Sequence, residues 1–374
     1  LIALPLFILM GSFLGATPVG ASLFKAAVCW LNWLRGSLAI SSVGASAMFG
    51  AVSGVSIAGV AAIGSVAVPQ MLERGYSRSL AAGSVVSAGA LAMLIPPSVP
   101  FIIYGAVSGV SVADLFIGGI IPGIVLAASL SIYIYIRVRI NPEEAPTNTQ
   151  NFTWKERFAS LANIWHSGFL VIIVLGSIYT GFATPSEAAA VGALGALFIA
   201  TVFFKALTWK KLGDILGSTA RISGAILLII GCAKIFGDYL NFVRVPQTLT
   251  DILTATGLPS WAILVAIMLL LVLLGMLVDA VSLIVVTTPV LLPVIIALGY
   301  DPLWFGIVMI LNLEIAVVTP PVGLNLYALR GVCPELGIEE IIRSAIPFVI
   351  VQFAVLMLFV IFPEISLWLP NLLR

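Results

Sequence analysis

Residues 274–327 read LGMLVDAVSLIVVTTPVLLPVIIALGYDPLWFGIVMILNLEIAVVTPPVGLNLY. Two apolar runs meet at Asp279, and a third breaks at Thr319, Pro320, Pro321 and Gly323. A carboxylate inside apolar sequence is costly to insert into a bilayer, which makes it a functional-site candidate by default. A Pro-Pro-x-Gly step cannot continue an α-helix, because two N–H donors are missing and the rings clash with the preceding turn. Within a membrane such a break survives only where the freed backbone groups face protein or a wet cavity. The two interruptions together have the form of the discontinuous helices that build secondary-carrier sites.

The same pattern occurs earlier in the chain. Gly75-Tyr76 returns as Gly299-Tyr300, Pro96-Pro97 as Pro320-Pro321 and Pro69 as Pro293, each 224 residues later. That shift also carries the tip SGVS (53–56) onto LVDA (277–280). Several matches at one offset, in one order, indicate an internal structural repeat. The predicted fold is an all-α polytopic membrane protein. It has two re-entrant helical hairpins (37–72 and 261–298) and two broken helices (79–107 and 302–331).

Composition agrees with a chain that lives in lipid. Hydrophobic residues make up 61% and charged residues 9%, far from the usage of soluble domains. Repeated apolar runs longer than about 18 residues are membrane-span candidates. A net charge of +1 gives no basis for a nucleic-acid partner. Cys29, Cys232 and Cys333 have no metal-ligand spacing and read as packing residues. Leu1 falls inside an apolar run with no signal-peptide pattern before it, so further sequence is expected ahead of it.

An uninterrupted span is expected at 115–136 and further spans at about 163–182, 187–204, 217–240 and 338–362, with a loop from 241 to 260. Residues 137–157, rich in charge, Pro and Asn/Thr, read as a soluble linker. Thr184-Pro185-Ser186-Glu187 is a helix-capping box, so Glu187 reads as a cap rather than a ligand. Arg35, Arg74, Arg78, Arg221, Arg330 and Arg343 fall on the same side as the 137–157 and 205–211 loops. The positive-inside rule makes that side cytoplasmic and sends Arg374 to the periplasm. Five spans separate the two hairpin bases, an odd number, so the repeats enter from opposite faces.

Ser53, Ser56, Ser98, Ser282, Thr319 and Asn325 offer side-chain oxygens beside the breaks, the ligand type that Na⁺ takes. Each break also starts a half-helix whose N-terminal amides favour an anion. Asp279 reads as a functional tip residue, against the alternative of pairing with a basic residue of another helix. Glu314 is equally readable as a ligand or a structural hydrogen-bonding group. His166 reads as interfacial, and Lys234 and Asp238 as an i,i+4 pair. No nucleophile–base pair, metal-ligand cluster or Walker motif occurs, so neither an enzyme nor direct drive by ATP is indicated. No organic cofactor is expected.

These stretches resemble the large membrane subunit (DctM-like permease) of tripartite ATP-independent periplasmic (TRAP) transporters. The resemblance rests on LPLFILMG (4–11), SGVSIAGVAAIG (53–64) to RGY (74–76), and IPPSVPFIIYG (95–105). It continues through TPSEAAAVGA (184–193), LLGMLVDA (273–280) and LNLEIAVVTPPVGLNLY (311–327). Gly59 departs from the polar residue of many relatives. The family implies an elevator-type carrier of the ion-transporter-superfamily kind in the bacterial inner membrane. It implies Na⁺ as coupling ion at two or more sites, and an organic acid anion delivered by a periplasmic substrate-binding protein. A small membrane subunit, separate or fused, is the other expected partner besides the lipid bilayer.

Carried onto this chain, the resemblance divides it into five parts. These are scaffold helices (1–36), a first transport repeat (37–137), a cytoplasmic linker with scaffold helices (138–258), a second transport repeat (259–363) and a tail (364–374). The Na⁺ ligands would come from Ser53, Ser98, Asp279, Thr319 and Gly323. The substrate region would comprise Ser53, Gly54, Ser56, Ser98, Ser282, Thr319, Pro320, Gly323 and Asn325. A stand-alone Na⁺/dicarboxylate symporter is the competing reading. An ion channel would need a continuous polar pore, whereas these polar groups cluster at isolated breaks.

Overall fold

Apolar helix-forming runs, cut by proline and glycine, set the boundaries of the fold. The computed structural model describes residues 2–146, 152–255 and 257–373, and these hold helices and turns but no strand. The cytoplasmic placement expected for residues 147–151 and the periplasmic placement of Arg374 lie outside the described residues.

Helices α1 (Ala3–Gly15) and α2 (Val19–Leu31) meet at a 70° bend. A first hairpin follows, α3 (Ser37–Ser53) and α4 (Ser56–Glu73). The first broken helix is α5 (Arg78–Ala90), a 3-10 turn (Leu91–Met93) and α6 (Val99–Ser108), and α7 (Val112–Ile140) is a full span. The middle of the chain holds α8 (Trp154–Ala162) and α9 (Trp165–Tyr179), bent by 55°, then α10 (Pro185–Phe198) and α11 (Trp209–Phe242). Beyond α12 (Val245–Ala255) come the second hairpin, α13 (Ser260–Gly275) and α14 (Ala280–Ala297), and the second broken helix, α15 (Pro302–Ala316) and α16 (Leu324–Val332). Helices α17 (Ile338–Ile361) and α18 (Pro363–Leu373) close the chain. Among the described residues six helices are long and apolar enough to cross a membrane, and up to eight spans result if each bent pair counts as one. The protein is a multi-pass membrane protein.

The repeat seen in the sequence is a repeat of backbone. Ser77 caps α5 by accepting the Leu80 N–H, and Asp301 caps α15 by accepting the Leu303 and Trp304 N–H groups. Gly75 and Gly299 take the left-handed conformation (φ +76° and +86°) that ends α4 and α14. The Pro96–Pro97 and Pro320–Pro321 bonds are both cis. Helices α5 and α15 form the centre: every α15 residue from Leu303 to Ala316 is buried. Small residues let the helices around them close up, as a Cβ on Gly50 would sit 2.7 Å from Ala92 Cα.

One expectation is corrected. Residues 241–260 are not all loop, since α12 places Leu249 and Leu253 against the core. Helix α18 (Pro363–Leu373) packs on α7 and α15. Helix α11 contains the span expected at 217–240 and starts earlier, at Trp209, where Thr208 caps it by accepting the Lys211 N–H. His166 lies in the first turn of α9, buried against protein and stacked on Phe203 with ring centroids 5.5 Å apart.

Candidate substrate and ion site

A cavity of about 390 Å³ lies where the first hairpin tip meets the starts of α6, α14 and α16. Helices α1 and α11 close its other side. Gly54 makes the first tip possible: its backbone is left-handed (φ +63°), and a Cβ there would fall 2.7 Å from the Pro97 carbonyl oxygen. The Val99 N–H donates to the Gly54 carbonyl at 3.4 Å, which seats this tip on the first helix break. At the second tip the Val322 N–H donates to the Met276 carbonyl at 3.2 Å, so that tip is seated on the second break.

The helix starts around the cavity differ in how they are capped. Helix α4 has no side-chain cap. Ser56, Ile57 and Ala58 form its first turn and line the cavity; amides at such positions have no acceptor within their own helix. The start of α14 is the opposite case. Asp279 caps it, one carboxylate oxygen accepting the Ser282 N–H at 3.0 Å and the other the Ser282 hydroxyl at 2.6 Å. Asp279 is nevertheless exposed on the cavity wall. The cavity is thus lined both by the uncapped first turn of α4 and by the Asp279 cap of α14.

Of the residues singled out from sequence, Ser53, Gly54, Ser56, Asp279 and Asn325 share this cavity. Ser56 donates to Asn325 Oδ1 at 2.8 Å, and Asn325 Nδ2 donates to the Val86 carbonyl at 3.4 Å, tying α4, α16 and α5 together. The remaining residues lie off the cavity wall. Ser98 is buried and donates to the Met93 carbonyl. Thr319 donates to the Ile315 carbonyl at 2.6 Å, and Ser282 is engaged by Asp279. Pro320 and Gly323 (φ +53°) belong to the second break, whose Val322 is held by the α13–α14 tip. Glu314 stands apart in α15, fully buried, with no hydrogen-bond partner for either oxygen among the described residues.

Sequence reading missed the far wall of the cavity. Ile8, Gly11, Ser12 and Gly15 come from α1, and Ile222 and Ile226 from α11. The available signal was the Gly11/Gly15 pair, four apart on one helix face, which marks close approach. A Cβ on Gly11 would fall 2.6 Å from the Ser53 carbonyl oxygen. The α4 amides carry no side-chain signature at all.

The family described as "Tripartite ATP-independent periplasmic transporter, DctM component" matches residues 1–365. The chain is 36% identical to the C4-dicarboxylate TRAP transporter large permease protein DctM of Vibrio cholerae, covering 100% of this chain and 86% of that protein. It is 32% identical to the sialic acid TRAP transporter large permease protein SiaM of the same organism, over 100% and 86%. The isethionate TRAP transporter permease protein DctMQ of Oleidesulfovibrio alaskensis is 34% identical, over 98% of this chain and 58% of its own length. Two solved transporters share the fold at 14% identity. They are YdaH of Alcanivorax borkumensis (TM-score 0.63, covering 98% and 85%) and MtrF of Neisseria gonorrhoeae (TM-score 0.64, covering 96% and 80%).

Proposed function

The chain belongs to the DctM component family of tripartite ATP-independent periplasmic transporters, and on that premise we propose Na⁺-coupled uptake of a small organic acid anion by an elevator movement. It is a transporter permease rather than an enzyme. The observation that carries the finer reading is the cavity with α4 amides on one wall and Asp279 on another. A helix start without a cap is a ready anion site. A carboxylate in the same small space as Asp279 is repelled unless a cation sits between them, which makes ion and substrate binding mutually dependent.

In this reading Ser53, Gly54, Ser56 and Asn325 meet the substrate, with Ser98, Ser282, Thr319, Pro320 and Gly323 supporting the tips behind them. Ser53 and Ser98 frame one Na⁺ site, and Asp279, Thr319 and Gly323 a second. The cavity volume of about 390 Å³ suits a small metabolite, and relatives named for C4-dicarboxylates and sialic acid support an organic acid. Helices α3–α7 and α13–α17 form the moving body, sliding against α1, α2 and α8–α12. A periplasmic binding protein delivers the substrate, and a small membrane subunit widens the scaffold, in the bacterial inner membrane. Proteoliposomes holding the complete membrane component are expected to take up substrate only when the binding protein and a Na⁺ gradient are both supplied. Strong uptake of free substrate without the binding protein would instead identify a stand-alone symporter.

A further inference from the structure

A second cavity, of about 380 Å³, lies at the junction of α2 and α3, far in sequence from the hairpin tips. Trp33, Arg35, Gly36, Ser37, Tyr76 and Arg157 contribute to its wall, and no acidic residue lines it among the described residues. Helix α3 opens directly onto it. Its N-cap is Gly36, left-handed at φ +71°, which supplies no side-chain acceptor. The 17-residue helix therefore has no cap from its own N-cap residue, and of its first amides the Leu38 N–H is taken by the Tyr76 hydroxyl.

Four further groups point the same way. The Ser37 hydroxyl is completely buried and has no hydrogen-bond partner among the described residues. A buried hydroxyl left unpaired costs free energy, so a missing partner is expected in the space it lines. The Tyr76 hydroxyl accepts the Leu38 N–H at 3.4 Å, which leaves its own hydrogen to donate. The Arg157 Nε–H is buried and unpartnered among the described residues, and the guanidinium lies 5.0 Å from the Trp154 ring centroid. Arg35 is exposed and makes no ion pair among the described residues. Cationic groups, a hydroxyl and helix amides converging without a carboxylate are the donor set of an oxyanion site.

The surroundings indicate which oxyanion. Trp30, Trp154 and Phe158 pack edge-on and stacked beside α8, and the Trp30 indole N–H donates to the Arg157 carbonyl at 3.2 Å. Trp33 is 73% exposed. Aromatic side chains grouped with arginines at helix ends are the signature of the bilayer surface. The geometry points to a binding site for a phosphate group, that of an anionic phospholipid headgroup, held between α2, α3 and α8. Because the site joins the helices before Gly36 to those after it, a bound headgroup would tie the two together.

The test uses the full chain, purified and delipidated, with native mass spectrometry to count retained phosphatidylglycerol against phosphatidylcholine. Wild type is expected to retain phosphatidylglycerol preferentially, with inorganic phosphate at about 10 mM competing weakly and reducing retention. Arg35→Gln combined with Arg157→Gln is expected to lower that retention on the order of tenfold. Ser37→Ala removes one buried donor without touching charge and is expected to lower it by about threefold. Thermal unfolding of each variant is recorded alongside, and the Ser37→Ala result stands should the double variant fail to fold. Equal retention by wild type and both variants would overturn the site. Stabilisation by inorganic phosphate with no preference for phosphatidylglycerol would overturn the lipid assignment.

Discussion

Asp279 occupies two roles that a single substitution can separate. It caps α14 through Ser282, and its carboxylate faces the cavity. Asn and Ser are both good helix caps, so Asp279→Asn and Asp279→Ser should each change stability by less than about 1 kcal/mol. If the charge serves Na⁺, both variants should need a higher Na⁺ concentration for half-maximal uptake while expression and assembly stay unchanged. Wild-type Na⁺ dependence in both would assign Asp279 to capping alone. The charge was legible in the sequence because an acid at a break in apolar sequence costs insertion energy that a merely apolar residue would avoid. The hydroxyls were not equally legible. Ser98 and Thr319 sit where ligands were expected, yet each donates to a carbonyl of its own helix region. Sequence gives no means of telling a hydroxyl that bonds back to its own backbone from one that faces a cavity. Glu314 shows the converse: nothing in its neighbours announces that both oxygens lack a partner among the described residues.

At the scale of elements, proline and glycine carried most of the information. The doubled Pro-Pro steps, the paired left-handed glycines and the matching caps at Ser77 and Asp301 mark the same boundaries in both halves. Their physical meaning is local, so it survives in the sequence. The chemistry of the two halves is not repeated: Val55 stands where Asp279 does in the second copy, and Ile95 where Thr319 does. Helices α12 and α18 were hidden because each is 11 residues long and begins beside proline, too short and too interrupted to show a period. Packing between elements gives the next prediction. A methyl at Gly50 would meet backbone atoms of Ala92, which cannot swing away, so Gly50→Ala is expected to destabilise the fold by about 1–3 kcal/mol. Gly231, in the second half of α11, has nothing within 4 Å of its would-be Cβ, and Gly231→Ala should be neutral or stabilising by up to about 1 kcal/mol. Thermal unfolding in detergent checks the pair, and equal effects would remove the steric explanation.

Across the whole molecule the question is which contacts belong to the fold and which to one conformation. Helices α1 and α10 pack together, and α1 also packs on α11, while the same α1 touches α3 and α6 across the cavity. Within that second contact Gly11 lies against the hairpin tip, where a Cβ on it would fall 2.6 Å from the Ser53 carbonyl oxygen. If α3–α7 and α13–α17 slide past α1, this contact exists in only some states of the cycle. A contact of that kind acts as a weight on one conformation rather than on the fold. Gly11→Ala places a methyl 2.6 Å from the carbonyl oxygen, a clash that this state must relieve and a shifted state need not. A penalty of about 1.4 kcal/mol for that state alone would lower its population relative to others by about tenfold. Cysteines placed at Ser12 and Ile57, which line the same cavity, report that state by cross-linking once Cys29, Cys232 and Cys333 are replaced. Gly11→Ala is expected to reduce the cross-linking rate several-fold while leaving the melting temperature near that of the parent. A fall in melting temperature with an unchanged cross-linking rate would make the Gly11–Ser53 contact a fixed part of the core, and the moving boundary would then have to lie elsewhere.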